Sequence, residues 1–405
     1  MVSSRGASEP NLPLAGIRVI DLGQVYQGPY ATFLMAKAGA EVIKVEPPGG
    51  EPGRLRAEVS GGAMLPFEML NANKRSITIN LKTPRGRDLL LDLVRSADVL
   101  LENFAPGTMD RLGVGFEKLR AVNPRLVYGS GTGFGLSGPD RDNLAMDITI
   151  QAVSGVMSVT GMADGPPLRA GPAMADFLGG IHLYAAVMTA LVERERTGHG
   201  RLVEVAMQEA VFPTLASSLG MAYETGQEPK RAGNRHSGLA VAPYNVYPTL
   251  DGFVAIIALR DIHWDALLTL IGREDIRDDP RFQSNATRAA NMDATDEVIT
   301  LWTQERNCAE VFEQAKQARV PCAPVRPLMD VWHDPHMIER GMLEWIDHPR
   351  LGRVVLPNSP LRIHGADLVA QIPAPDLGEH TEEILAQVLG LSEAEIADLR
   401  HAQAV

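Results

Sequence analysis

Asp176 is the residue whose surroundings most favour chemistry, in the stretch Ala170-Gly-Pro-Ala-Met-Ala-Asp176-Phe-Leu-Gly-Gly-Ile-His-Leu-Tyr184. Small residues precede it, and an apolar, helix-like run from Ile181 to Leu191 follows. At such a place free backbone N–H groups and the positive end of a helix dipole favour an anion. The plainer reading is an N-cap. The sharper reading is a carboxylate nucleophile, which splits one difficult group transfer into easier covalent steps.

The other chemistry-bearing patterns are weaker. Gly129-Ser-Gly-Thr-Gly-Phe-Gly135 follows a predicted strand, but its alternate glycines do not match G-x-G-x-x-G. It reads as a turn, or as a loop that lets a ligand approach the backbone. No G-x-x-x-x-G-K-[ST] phosphate loop is present, so neither an NTPase nor a hydride-transfer enzyme is supported. His333 and His336 lack an H-E-x-x-H context and read as surface histidines, so no metal site is expected. No G-x-S-x-G elbow anchors a hydrolase triad.

The elements that must position Asp176 follow an alternating pattern. Strands are predicted over residues 17–21, 41–45, 98–101 and 125–129, with helices over 29–38, 84–96 and 116–122 between them. This spacing implies parallel βαβ units in an α/β fold with a doubly wound sheet, whose ligands bind beyond the carboxyl ends of the strands. After Asp176 a helix runs to about Glu195, then a strand over 202–205 and a helix over 207–223. Residues 226–237 read as a linker, followed by a smaller α+β domain. From Pro327 the chain reads as irregular and Pro-rich until helices after Thr381 and Ser392.

Composition sets the outer bounds. With 405 residues, two domains are the default. Against 50 acidic residues stand 38 Lys and Arg, a net charge of −12, which argues against nucleic-acid partners. No apolar run approaches the roughly 20 residues of a membrane span, so no membrane partner is expected. The polar start, residues 1–13, reads as a flexible tail without a signal sequence. Cys308 and Cys322 are too few for a disulfide framework, which points to the cytoplasm.

Several short segments, taken in order, resemble the class III CoA-transferase family, the group that contains formyl-CoA transferase and α-methylacyl-CoA racemase. They are Leu14-Ala-Gly-Ile-Arg-Val-Ile-Asp21, Gln27-Gly-Pro29, Gly39-Ala-Glu-Val-Ile-Lys-Val-Glu46, Asn71-Ala-Asn-Lys-Arg-Ser76, Glu102-Asn-Phe-Ala-Pro-Gly107 with Asp110-Arg-Leu-Gly113, and Ala170 to Gly180. The likeness continues through Arg201 to Gln208, Pro321 to Val325 and Leu377 to Thr381.

The resemblance implies a large Rossmann-like, CoA-binding domain built from both chain ends, residues 14–225 and 327–405. A linker and small domain over 226–326 complete the chain. It further implies protomers interlocked as a homodimer, or a heteromer with a paralogue. Asp176 matches the family's nucleophile, which attacks the acyl-CoA thioester. Gln27 matches its active-site glutamine, suited to polarising an oxyanion. Asn103, Phe104 and Arg111 match positions that embrace CoA; Asn73, Lys74 and Arg75 match a second such cluster, and Met207 a residue lining the CoA channel. Coenzyme A and its acyl esters enter as substrate, alongside a small carboxylic acid, with no tightly bound cofactor.

Within the family the chain resembles the transferases more than the racemases. The racemase Gly-His-Asp segment is Ala145-Met146-Asp147 here, and a thioether cannot exchange a proton. A non-catalytic CoA-binding subunit is a further alternative. The short segment Gly233 to Leu239 lacks the glycine run of the formyl-CoA transferases, which points away from formate. Arg169, Arg235 and His236 are candidates to hold the second carboxylate of a dicarboxylic acid, with a succinyl-CoA-type donor.

Overall fold

The computed structural model of the chain describes residues 11–56 and 64–405. Most of the tail expected over residues 1–13, namely residues 1–10, lies outside the described residues. The described residues divide into two units: those of 11–150, 172–211 and 334–405 form the first, and residues 151–171 and 212–333 the second. Residues 151–171 and 212–225, read from sequence as part of the large domain, therefore cluster with the second unit, and residues 327–333 do so too.

The first unit is built on six parallel strands: β1 (Arg18–Asp21), β2 (Glu41–Glu46), β3 (Arg75–Thr78), β4 (Val99–Glu102), β5 (Val127–Thr132) and β6 (Leu202–Ala206). Their spatial order is β3-β2-β1-β4-β5-β6. The direction of winding thus reverses between β1 and β4, and a crevice opens there beyond the strand ends.

Over its central strands both faces of this sheet are covered, as parallel strands require, while the edge strand β6 leaves Leu202 exposed. Val19, Val42, Leu101 and Val127 point to one side, where they meet Ala31 and Met35 of helix Gln27–Lys37 and Leu183 and Val187 of helix Met174–Thr197. Ile20, Ile43, Leu100 and Tyr128 point to the other. There they meet Leu90 and Leu93 of helix Pro84–Arg95 and the C-terminal side chains Ile384, Leu385, Ile396 and Leu399. The chain's end is thus part of the first unit's core.

The sequence reading places no strand at β3 or at the late hairpin. The four residues Arg-Ser-Ile-Thr of β3 are too few to show alternation, and they become a strand by pairing with β2. The hairpin β10 (Leu343–His348) and β11 (Gly352–Pro357) sits in a region read as irregular. Helix Met174–Thr197 is long and apolar enough, by length and composition alone, to cross a membrane. It begins before Asp176 and ends beyond the Glu195 expected from sequence. Its Leu183, Val187, Ala190 and Leu191 are buried within the unit.

The second unit carries an antiparallel sheet of β7 (Tyr244–Pro248), β8 (Phe253–Ile257) and β9 (Cys322–Pro324). Its own core gathers Val254, Ile256, Trp264, Leu267, Phe282, Ile299 and Val311. The helix expected over 207–223 is instead Met207–Val211, a 3-10 turn and Ala216–Thr225. Pro213, which has no N–H to donate, lies in that turn.

Beneath the crevice lies a charge cluster that corrects one expectation. Lys74, only 4% exposed, donates from Nζ to Asp21 Oδ2 at 2.9 Å, Asn71 Oδ1 at 2.9 Å and the Pro29 carbonyl at 3.1 Å. All three of its donors are spent inside the protein. Burial lowers its pKa to about 8, against the pull of Asp21. Burial works to raise the Asp21 carboxyl, but the Lys74 and Lys44 charges outweigh it and hold the group below its ordinary value. Lys74→Met is therefore expected to cost about 3–5 kcal/mol by stranding a buried carboxylate, measured by chemical denaturation. Unchanged stability together with weakened acyl-CoA binding would return Lys74 to a ligand-binding role.

Candidate active site

Helix Gln27–Lys37 follows β1 after a five-residue loop, with Pro29 in its first turn. Its first residue, Gln27, is 2% exposed. Two glycines make room for the amide. A Cβ on Gly131 of β5 would stand 2.8 Å from Gln27 Cδ, and one on Gly179 would stand 2.8 Å from Gln27 Nε2. The Nε2 group is buried and has no hydrogen-bond partner. Orphan buried donors are rare and mark strain or function.

Asp176 is the third residue of helix Met174–Thr197, whose N-cap is Ala173 without a side-chain cap bond. The N-cap reading of Asp176 is thereby corrected. Its carboxylate is free of the capping task because another residue performs it. Asp147 Oδ1 accepts from the N–H of Ala175 at 2.8 Å and of Asp176 at 3.4 Å. Asp147 reaches this helix from 29 residues upstream, which no local sequence signal foretells.

Burial and, next, the negative charge of Asp147 push the Asp176 pKa up to about 7, while Arg56 pulls the other way. A carboxylate with this pKa is a stronger nucleophile than an ordinary surface aspartate, yet is partly ionised at neutral pH.

Asp176 and Gln27 line one cleft of roughly 440 Å³ at the reversal of strand order. Asn103, Phe104 and Met207 line it too. Asn103 accepts the Gln24 N–H at 2.7 Å and donates to the Gln24 carbonyl at 3.0 Å, so its amide steadies the wall. Gly131, Thr132 and Gly133 continue it, which makes the glycine-rich stretch a close backbone approach.

The remaining predicted contacts fall elsewhere. Asn73, with a left-handed φ of 63°, donates to the Ala370 carbonyl and ties down the C-terminal segment. Arg75 pairs with Glu41 at 2.6 Å and Glu383 at 3.0 Å. Both serve the fold, because β3 places them at the sheet's edge. Arg111 is turned to Thr108 at 2.8 Å and does not line the cleft.

The candidate acceptor cations are likewise engaged. Arg235 pairs with Asp293 and Asp296, and Arg169 donates to the carbonyls of Ala170 and Gly171. His236 Nδ1 accepts the Gly238 N–H at 3.2 Å, and all three residues belong to the second unit.

Two cations missed in the sequence line the cleft, Arg56 and Arg141. Arg56 donates to the Tyr26 hydroxyl at 2.9 Å and lies over its ring at 5.2 Å. Its surroundings, Glu51 to Arg56, are polar and aperiodic, so sequence offered no signal for it.

Known proteins similar to this chain match it over most of its length. The family model described as CoA-transferase family III matches residues 14–381. A formyl-CoA:oxalate CoA-transferase of Streptomyces avermitilis is 36% identical over 408 residues, covering 96% of this chain and 98% of the relative. A succinyl-CoA–D-citramalate CoA-transferase of Chloroflexus aurantiacus is 35% identical over 400 residues, covering 97% and 98%. A crystal structure of a CAIB/BAIF family protein from Brucella suis superposes with a TM-score of 0.82 at 34% identity, covering 93% of this chain and all of that one.

The electrostatics of Asp176 predict a directly measurable titration. In protein carrying 13C-labelled aspartate, its carboxyl should protonate with a midpoint near 7. Asp147→Asn should move the midpoint down, since one of the two causes of the rise is removed. A wild-type midpoint near the ordinary 3.8 would refute the dry environment.

Proposed function

The chain belongs to CoA-transferase family III and is a CoA-transferase; from that premise we propose that it passes CoA from a succinyl-CoA-type donor to a dicarboxylate through covalent intermediates on Asp176. The observation that carries this reading is the cleft itself, where a carboxyl with a raised pKa and an amide donor without a partner share one cavity.

In this reading an Asp176 carboxylate oxygen attacks the thioester carbonyl carbon. The C–S bond breaks, CoA leaves as thiolate, and a mixed anhydride remains. The thiolate then attacks the aspartyl carbonyl, which frees the donor acid and forms an aspartyl-CoA thioester. The acceptor carboxylate displaces CoA from it to give a second anhydride, and the thiolate attacks the acceptor's carbonyl. Acceptor-CoA departs and the Asp176 carboxylate is restored. Each step exchanges one activated acyl group for another, so no ATP is consumed.

The unpartnered Gln27 Nε2 suits the oxyanion that develops at each attack. Asn103, Phe104 and Met207 would hold the pantetheine arm. Arg56 replaces Arg169, Arg235 and His236 as the cation for the acceptor's second carboxylate, because it lines the cleft of Asp176 and its guanidinium offers paired N–H donors. Oxalate and D-citramalate, in the names of the two relatives, are both dicarboxylic acids.

A racemase would need a second proton-transfer group in the cleft. Met146 lines the cleft at the corresponding position, and none of the described lining residues is a histidine, lysine or tyrosine. The same reading includes a Rossmann-like CoA-binding domain drawn from both chain ends and an interlocked dimer. Large exposed apolar side chains such as Leu144, Val192 and Tyr223 favour a partner surface.

Two measurements test the reading. Asp176→Ala should abolish transfer while leaving CoA binding intact, and mass spectrometry after incubation with succinyl-CoA should find an adduct on the Asp176 peptide in the wild type alone. Substantial residual transfer in that variant would rule out the carboxylate nucleophile. With a panel of acids, dicarboxylates should turn over and formate should not; Arg56→Gln should raise KM for dicarboxylates at least tenfold, the scale of one charge-assisted contact. Turnover with monocarboxylic acids alone would sink the acceptor assignment.

A further inference from the structure

Within the loop that delivers Gln27, most backbone groups of Gly23–Val25 are held by side chains. Gly23 donates its N–H to Asp21 Oδ1 at 2.8 Å, and its carbonyl accepts from Lys44 Nζ at 2.8 Å. Gln24 is bound at both ends by Asn103. The Val25 N–H donates to Glu51 Oε2 at 3.2 Å.

Val25 sits at φ 61°, in the left-handed region. For a β-branched residue this is a genuine outlier, sustained only where the surroundings over-determine it. Asn103 and Glu51 fix the carbonyl and the N–H of the peptide that leads into it. Val25 itself lines the cleft.

Lys44 and Glu51 are buried completely or almost so, and their charged groups approach only to 3.8 Å. At that separation they do not form a tight ion pair. Their short bonds go to backbone instead. The same Glu51 oxygen that accepts from Val25 accepts the Gly53 N–H at 2.6 Å. It therefore joins the rim that carries Val25 and Gln27 to the rim that carries Pro52 and Arg56, and all four residues line the cleft. The Lys44 charge also offsets Asp21 and Glu46, but a buried pair at 3.8 Å is a costly way to fill space, and its backbone bonds are what reach the cleft.

We propose that Lys44 and Glu51 are positioning residues of the transfer reaction, which clamp the Gly23–Val25 backbone so that the Gln27 amide keeps its place in the cleft beside Arg56 and Asp176. This rests on the reading of Gln27 as an oxyanion donor. Displacement of such a donor by about 1 Å is enough to lose catalysis while the binding surface stays intact.

The test compares four variants by steady-state kinetics and thermal melting. Removing both charges together, as Lys44→Met/Glu51→Leu, should preserve folding but lower kcat roughly 10- to 100-fold, with KM for acyl-CoA within about threefold. Adding Val25→Gly to that pair should recover part of kcat, since glycine occupies positive φ without a clamp. Glu51→Gln keeps an acceptor for both N–H groups and should stay within about threefold of wild type. Gln27→Ala is the reference for the reading beneath. If Gln27→Ala leaves kcat unchanged, the oxyanion role itself fails. If it lowers kcat while the folded double variant retains wild-type kcat, the clamp is overturned. A large loss in Glu51→Gln overturns it too, whether or not the double variant folds, because charge rather than backbone bonding would then be what matters.

Discussion

Two carboxyl groups converge on the first turn of one helix, and most of what is distinctive in the cleft depends on their sharing it. Asp147 takes the free N–H groups of Ala175 and Asp176, and so occupies the part of the helix dipole that an anion would seek. Asp176 is left half-buried beside it, and burial together with that neighbouring charge raises its pKa to about 7. Had Asp176 capped its own helix, its oxygens would be engaged with backbone N–H groups and its charge strongly favoured. That is the opposite of what an attacking carboxylate requires.

The amide opposite depends on an equally specific constraint, the absence of side chains. Gly131 and Gly179 flank the Gln27 amide from a strand and a helix, each too close for even a methyl group. Gly180 lets the long helix approach the start of the first, since a Cβ there would stand 2.8 Å from the Gln27 carbonyl oxygen. A residue held so tightly loses little further freedom when a ligand arrives, which makes its unpartnered N–H effective. The parallel sheet supplies the rest: its reversal between β1 and β4 opens the crevice, and β1, β4 and β5 all end beside it.

Under this cleft three carboxylates, Asp21, Glu46 and Glu51, are interleaved with Lys44, Lys74 and Arg54. Glu46 and Arg54 form its outer part, with Arg54 Nη2 at 2.7 Å from Glu46 Oε2. Arg54 also donates to the Pro375 carbonyl, so the C-terminal segment is fastened to the same network. The resemblance matches Lys74 and Arg75 to positions near CoA, and in this network both are already engaged. Their charges balance carboxylates of the same unit, Asp21 for one and Glu41 and Glu383 for the other.

Much of the fold was legible in the sequence because it is written in local terms. Apolar runs of strand length, Pro29 and Pro84 in the first turns of their helices, and the regular strand–helix spacing are properties of neighbours along the chain. Short β3 was illegible, since it exists through pairing with the distant strand β2, whereas the late hairpin pairs locally and lies hidden in a Pro-rich stretch. In the site, the sequence by itself determined which groups are available: Asp176, Gln27, Asn103, Phe104 and Met207, and the glycines that permit close approach. Only the tertiary structure decided what those groups are. It gave the capping of the Asp176 helix to Asp147, spent Lys74 on Asp21, and brought Arg56 to a cleft that no motif linked to it. The physical reason is range: hydrogen bonds within a turn are fixed by sequence neighbours, whereas burial and charge–charge repulsion depend on which distant segments the fold lays side by side.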